Sequence, residues 1–263
     1  MYMNSLSFSE IQQLSKSYSP LKSESDLLDL LYSINSNAYY DLNKSSARTF
    51  ITSILFKYYP NEASVKSAFI NKRLVKSSAI SLFEFPVGNS RIDLCKINGT
   101  SHAYEIKTDL DNLNRLDKQL NDYKKVFEYI HIICSEKKLS EIIEKTDSTI
   151  GITYYSHKNG DYHFYNYRNP QKSVALSSKI QLQALSSAEM SQIKLDNNLS
   201  KDSSIDDVIE ALSNSQINKE FKKALKTRYQ DQWFFLNKYM NDIPNIDYQF
   251  FFKNCIAPCK VYQ

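Results

Sequence analysis

Between residues 79 and 134 the hydrophobic pattern changes in an order that few folds accommodate. Residues 79–87 (AISLFEFPV), 90–97 and 102–108 carry the strand-like period of two, and Asn98-Gly99 between the last two runs is a hairpin signal. Residues 109–128 then place Leu110, Leu113, Leu116, Leu120, Tyr123 and Phe127 three or four apart, the spacing of an amphipathic helix that Thr108 or Asp109 can cap. Tyr129–Cys134 follows as a short apolar run that reads as a buried strand. The first three strands can form an antiparallel meander. The step through the helix to the fourth is a crossover, which makes those strands parallel and the connection right-handed. The pattern predicts an α/β fold with a mixed sheet flanked by helices.

The flanks are mostly helical. Residues 46–60 carry an apolar stripe that Pro60 ends, and residues 62–76 read as a second helix. Beyond the fourth strand a helix over 137–145 and strands over 149–155 and 161–168 extend the sheet, with a turn at Lys158-Asn159-Gly160-Asp161. Residues 1–46 are rich in Ser and Asn and read as a loosely ordered arm with one short helix around Asp26–Tyr32. Residues 172–203 are Ser-rich and weakly periodic, as a linker or surface excursion would be. Residues 204–240 read as helical, and 241–263 give no assignment. The expected organisation is an arm over 1–45, an α/β core over 46–170 and a helical extension over 171–263.

Composition excludes more than it selects. No run approaches the roughly 18 apolar residues of a membrane span, and the start lacks a secretory signal. The four cysteines are too scattered for a disulfide framework. The expectation is a cytoplasmic chain with no membrane partner. A net charge of +4, from 33 basic and 29 acidic residues, favours a nucleic-acid partner only weakly. His102, His131, His157 and His163 show no metal-ligand spacing, and Cys255 and Cys259 lack a second pair. The basic stretch Lys219–Arg228 reads as a solvated helix face ahead of a contact with a DNA backbone.

The informative residues are charges inside the strands. Glu105 and Lys107 flank Ile106 and share one strand face, roughly 7 Å apart at about 3.3 Å per residue. Asp93 lies between Ile92 and Leu94 on the preceding strand. A two-residue loop at Asn98-Gly99 sends Asp93 and Glu105 to opposite faces. A three-residue loop through Thr100, or a bulge, sets them opposite each other with Cβ atoms about 5 Å apart. Opposed carboxylates repel unless something positive lies between them, and a divalent cation suits that place. A metal and a lysine together suit phosphodiester hydrolysis. The bland alternative is a solvated strand face with a cross-strand salt bridge.

Asp93, then Glu105-Ile106-Lys107 on the next strand, then a helix, resembles the PD-(D/E)XK nuclease superfamily. Glu84 stands on the preceding strand, where many members carry an additional acidic ligand. Gln119-x-x-x-Tyr123 resembles the motif of the RecB-type branch, and its spacing puts both side chains on one helix face. The string from Glu84 to Tyr123 also resembles a small bacterial family of stand-alone proteins linked to mobile elements. The resemblance covers about residues 80–135, with Ile92 where the superfamily often has Pro. It implies a restriction-endonuclease-like core with helical N- and C-terminal extensions, acting as a Mg²⁺-dependent DNA endonuclease in which Mn²⁺ substitutes.

In that reading Asp93, Glu105 and the Ile106 carbonyl hold the metal, and Glu84 completes that site or a second one. Lys107 orients or activates the attacking water, and Gln119 and Tyr123 position the phosphate or the water. A packed helix face is the plain alternative for Gln119 and Tyr123, and a surface charge for Glu84. Partners would be nucleic acid, with a second copy of the chain or another protein also allowed. The competing function is a catalytically silent nuclease-fold protein that binds nucleic acid, or serves as a regulatory subunit, in a defence or mobile-element system.

Overall fold

The structure is a computed structural model that describes residues 6–37, 45–75, 78–158 and 160–262. The chain divides into two compact units. One comprises Met1–Val75, Ser156–His163 and Phe234–Gln263, the other Lys76–Tyr155 and Phe164–Trp233.

The first unit begins with α1 (Phe8–Ser17), α2 (Glu24–Ile34), α3 (Ala47–Tyr58) and α4 (Glu62–Phe69), the last continued by a π-helical turn over Ile70–Leu74. Each starts on a side-chain cap: Ser7, Ser23, Ser46 and Asn61. Ser7 with Glu10 and Ser23 with Asp26 form reciprocal capping boxes. Leu14, Leu27, Leu31, Ile51 and Leu55 pack into one core. Where a loose arm with one short helix is expected, the described residues of 1–46 form two capped, packed helices. The serines there terminate helices instead of disordering the chain. The end of the expected 62–76 helix, at Lys76, lies outside the described residues.

The second unit is built on β1 (Ile80–Val87), β2 (Ser90–Asn98) and β3 (Thr100–Lys107), then α5 (Leu116–Lys124) and β4 (Tyr129–Ser135). A short 3-10 turn leads into α6 (Leu139–Lys145), then β5 (Gly151–Lys158) and β6 (Asp161–Arg168), of which Ser156–Lys158 and Asp161–His163 count with the first unit. The six strands lie in sequence order in one sheet. β1, β2 and β3 are antiparallel neighbours, and β3, β4 and β5 are parallel. This is the expected mixed α/β sheet flanked by helices, with a meander followed by crossovers. Asn159, in the expected β5–β6 turn, lies outside the described residues.

Further expectations are corrected. The helix expected over 109–128 forms only at Leu116–Lys124. Upstream, polar side chains hold the backbone in turns. Asp111 accepts from the Thr108 amide at 2.7 Å, and Asn112 accepts from the Asn114 amide at 3.3 Å. The linker expected over 172–203 contains α7 (Ser178–Gln183) and α8 (Ser187–Asp196), and the helix expected over 204–240 is split into α9 (Ile205–Ala211) and α10 (Asn214–Tyr239). Ser177, Ser186 and Ser204 cap α7, α8 and α9, and Leu182, Ile193, Val208, Leu212 and Ile217 bury their contact. The basic stretch of α10 is solvated only in part: Lys219, Lys223 and Lys226 are exposed, whereas Lys222 and Arg228 are largely covered. Lys222 pairs with Glu128 at 2.9 Å, Lys223 with Asp196 at 2.6 Å, and Arg228 with Glu189 through two bonds.

The tail, unassigned from sequence, forms α11 (Tyr248–Asn254) and α12 (Pro258–Val261) within the first unit. Asp247 there accepts from the hydroxyls of Tyr18 and Tyr262, both at 2.7 Å. Among the described residues no helix is long and apolar enough to cross a membrane.

Candidate active site

The C-terminal end of β3 carries a compact polar network. Lys107 Nζ donates to Glu105 Oε1 at 2.6 Å and to Gln119 Oε1 at 3.1 Å. Gln119 Nε2 donates to the same Glu105 oxygen at 2.6 Å. The Tyr123 hydroxyl lies 2.7 Å from Glu105 Oε2 and 2.8 Å from the carbonyl oxygen of Arg91. The strand period puts Glu105 and Lys107 on one face, and the helix period puts Gln119 and Tyr123 on one side of α5. Burial of Leu116 and Leu120 turns that side of α5 to the sheet.

Asp93 joins through register. From Asn98↔Thr100 to Leu94↔Tyr104 the paired residues keep an index sum of 198. Carried one step on, it sets Asp93 across from Glu105. This is the three-residue-loop alternative, and Gly99 supplies its left-handed residue at φ +71°. Asp93 Oδ2 accepts from the Ile106 amide at 2.7 Å. Asp93, Glu105 and Lys107 are 8%, 2% and 8% exposed, so they are not a solvated strand face.

Glu84 lies in β1 between the pairs Phe83↔Leu94 and Phe85↔Ile92, which places it level with Asp93. Its φ is +56°, a left-handed conformation that costs a non-glycine residue about 1–2 kcal/mol. Its carboxylate is ion-paired with the Arg91 guanidinium, which extends into solvent. Arg91 is not among the residues singled out from sequence. Its position seven residues after Glu84, across a tight turn, was the available signal.

Burial, and secondarily the Glu105 carboxylate, pushes the Tyr123 phenol far above its ordinary range. Tyr123 therefore stays protonated and acts as a donor. The Asp93 and Glu105 carboxylates with the Ile106 carbonyl make an all-oxygen donor set, the kind that Mg²⁺ or Mn²⁺ takes. Glu84 is a further carboxylate, at present engaged by Arg91.

The profile of the bacteriophage P4 protein cII family matches residues 56–248. The chain belongs to that family. The match contains the whole sheet and every residue of the network. Among curated proteins, Protein cII of Enterobacteria phage P4 is 37% identical over 108 residues, covering 39% of this chain and 41% of that one. The chain thus spans less than half the length of that relative. No solved structure matches the chain.

Of the residues singled out from sequence, Asp93, Glu105, Lys107, Gln119 and Tyr123 come together, with the Ile106 amide bound to Asp93. Glu84 is held by Arg91. Thr108 closes a turn with Asp111, and Asp109 bonds Ser135 and Lys137, so neither Thr108 nor Asp109 caps a helix. His102 and His131 are linked ring to ring at 2.9 Å, among Tyr104 and Tyr129.

Proposed function

We propose that this protein is a metal-dependent nuclease of the PD-(D/E)XK type that hydrolyses phosphodiester bonds, with DNA cut internally as the expected reaction. The observation that carries the reading is the convergence of Lys107, Gln119 and Tyr123 on one buried carboxylate, Glu105. An ordinary ion pair needs one partner. A carboxylate fixed by three donors is oriented, as a metal ligand must be.

Asp93, Glu105 and the Ile106 carbonyl would hold Mg²⁺ or Mn²⁺, and Glu84 could join once it leaves Arg91. When bound, the cation supplies Lewis acidity toward a phosphate oxygen and a water. The rest falls to the chain. Gln119 and Tyr123 hold the Glu105 carboxylate in one orientation. Lys107 carries its proton donors at the same point, where one can pass from Gln119 to a phosphate oxygen or orient the attacking water. Arg91, exposed at the rim, suits a neighbouring phosphate. The kinship with a phage protein supports a role in a mobile element.

A second reading is favoured by burial: Glu105 and Lys107 are almost closed to solvent and satisfy each other, as in a silent nuclease fold that binds nucleic acid or a partner. Titration of Mn²⁺ into wild type and Glu105→Ala, with plasmid nicking on the same samples, separates the two. The nuclease reading expects binding and nicking, both lost in the variant. Metal binding with no cleavage of any nucleic acid would leave the silent reading.

A further inference from the structure

The sheet continues past the catalytic candidates. In register, Lys107 is level with Cys134 on β4, and Cys134 with Tyr154 on β5. Level residues on parallel neighbours share a face. Tyr154 is therefore on the Lys107 side, two strand spacings or about 10 Å away. The ring of Tyr165 on β6 stacks on Tyr154, with centroids 5.2 Å apart and planes 22° apart. Tyr165 is 46% exposed, and Tyr167, two residues on and on the same face of β6, is 50% exposed. The turn after β4 carries Lys137, exposed, and Lys138, half-buried.

We propose that Tyr154 and Tyr165 form a stacking platform for an unpaired base of the nucleic-acid substrate, so that the preferred substrate is single-stranded or carries a single-stranded end beside the scissile phosphate. This rests on the nuclease reading of the Glu105–Lys107 site and names its substrate class. Large aromatic faces open to solvent at a sheet edge are costly unless something covers them. Continuity with the Lys107 row and the lysines after β4 favour a nucleic-acid strand as that cover. Bases of any sequence can stack on an aromatic ring while cations hold the backbone. A paired base, already stacked in its duplex, gains nothing there.

The test uses the full chain in Ca²⁺, which occupies oxygen sites without supporting cleavage. It compares one labelled oligonucleotide as single strand and as blunt duplex, with 2-aminopurine as the probe base. Tyr165→Leu is expected to weaken single-strand binding about tenfold, to leave duplex binding unchanged, and to abolish the 2-aminopurine quench. Tyr165→Phe keeps both. Equal effects of Leu on the two substrates, or none on the quench, would overturn the platform while the nuclease reading stands on cleavage. Wild type that neither binds nor cleaves any nucleic acid would remove both. A thermal melt of each variant distinguishes a merely structural stacking pair, which lowers the melting temperature without changing substrate preference.

Discussion

Lys107 Nζ lies 2.6 Å from Glu105 Oε1, two residues away on the same strand, in a setting where neither group reaches much solvent. Two opposite charges buried together offset each other's desolvation, whereas one alone does not. Lys107→Met is therefore expected to destabilise the fold by about 3–5 kcal/mol, and Glu105→Gln added to it to restore much of that loss. Urea unfolding of the two singles and the double checks this. Additive losses would mean the contact is incidental. If the site holds a cation, saturating Mn²⁺ should raise the melting temperature of Lys107→Met more than that of wild type, because the ion replaces the missing positive charge.

Glu84 carries a different kind of tension. Its left-handed φ of +56° would suit glycine, yet the chain places a carboxylate there, opposite Asp93 and against Arg91. Strained backbone held at a polar cluster points to a use for the side chain. Glu84→Gly loses the Arg91 pair but relieves about 1 kcal/mol of strain, so its stability is expected to stay near that of wild type. Glu84→Ala, strained and without the pair, should be less stable than both. Metal affinity should fall in both variants. Thermal melts with and without Mn²⁺ read both quantities, and unchanged affinity in Glu84→Gly would remove Glu84 from the ligand set.

The sheet and its polar network were legible because they rest on short-period rules. The alternation that marked β1 to β3 also assigned faces to Glu105 and Lys107, and Asn98-Gly99 narrowed the register to two alternatives. What failed was the reading of serine. Ser-rich stretches at both ends looked like an arm and a linker, although Ser7, Ser23, Ser186 and Ser204 each stand three residues before an acid. That spacing is the capping-box signature, and it was readable. The late start of α5 was harder, since the leucines at 110 and 113 keep the helical period while Asp111 and Asn112 fold the backbone away. The Arg91 pairing and the tyrosine row depend on neighbours in space.

Ser186 makes the capping point measurable. It accepts from the Glu189 amide, and Glu189 in turn bonds the Ser186 amide at 2.7 Å and pairs with Arg228 on α10. Ser186→Ala is expected to cost about 1 kcal/mol. Glu189→Ala should cost more, because it also strands the half-buried Arg228. Urea unfolding ranks the two, and a neutral Ser186→Ala would show that α8 is held by packing alone.

The histidine pair gives the protein a defined acid weakness. His102 Nδ1 and His131 Nε2 share one hydrogen bond at 2.9 Å, which requires one nitrogen to lack a proton. Burial lowers both, and Lys96 lowers them further. His102 falls from 6.5 to about 4, with Glu128 opposing, and His131 falls to about 3 with His102 itself contributing. For a base with a depressed folded-state pKa, the unfolded chain binds more protons at any pH between the two values. Stability is then fully present above about 6.5 and is lost as pH falls toward about 4 and then about 3. Two other groups titrate in that window: burial lowers His157, which adds to the loss, and burial raises Asp247 to about 6, which opposes it, so the pair's share is read from a variant. His131→Phe, which keeps an aromatic ring against Tyr104 and leaves His102 a lone titrating ring, should flatten the decline of the urea midpoint across that window. The same slope in wild type and variant would place the acid weakness elsewhere.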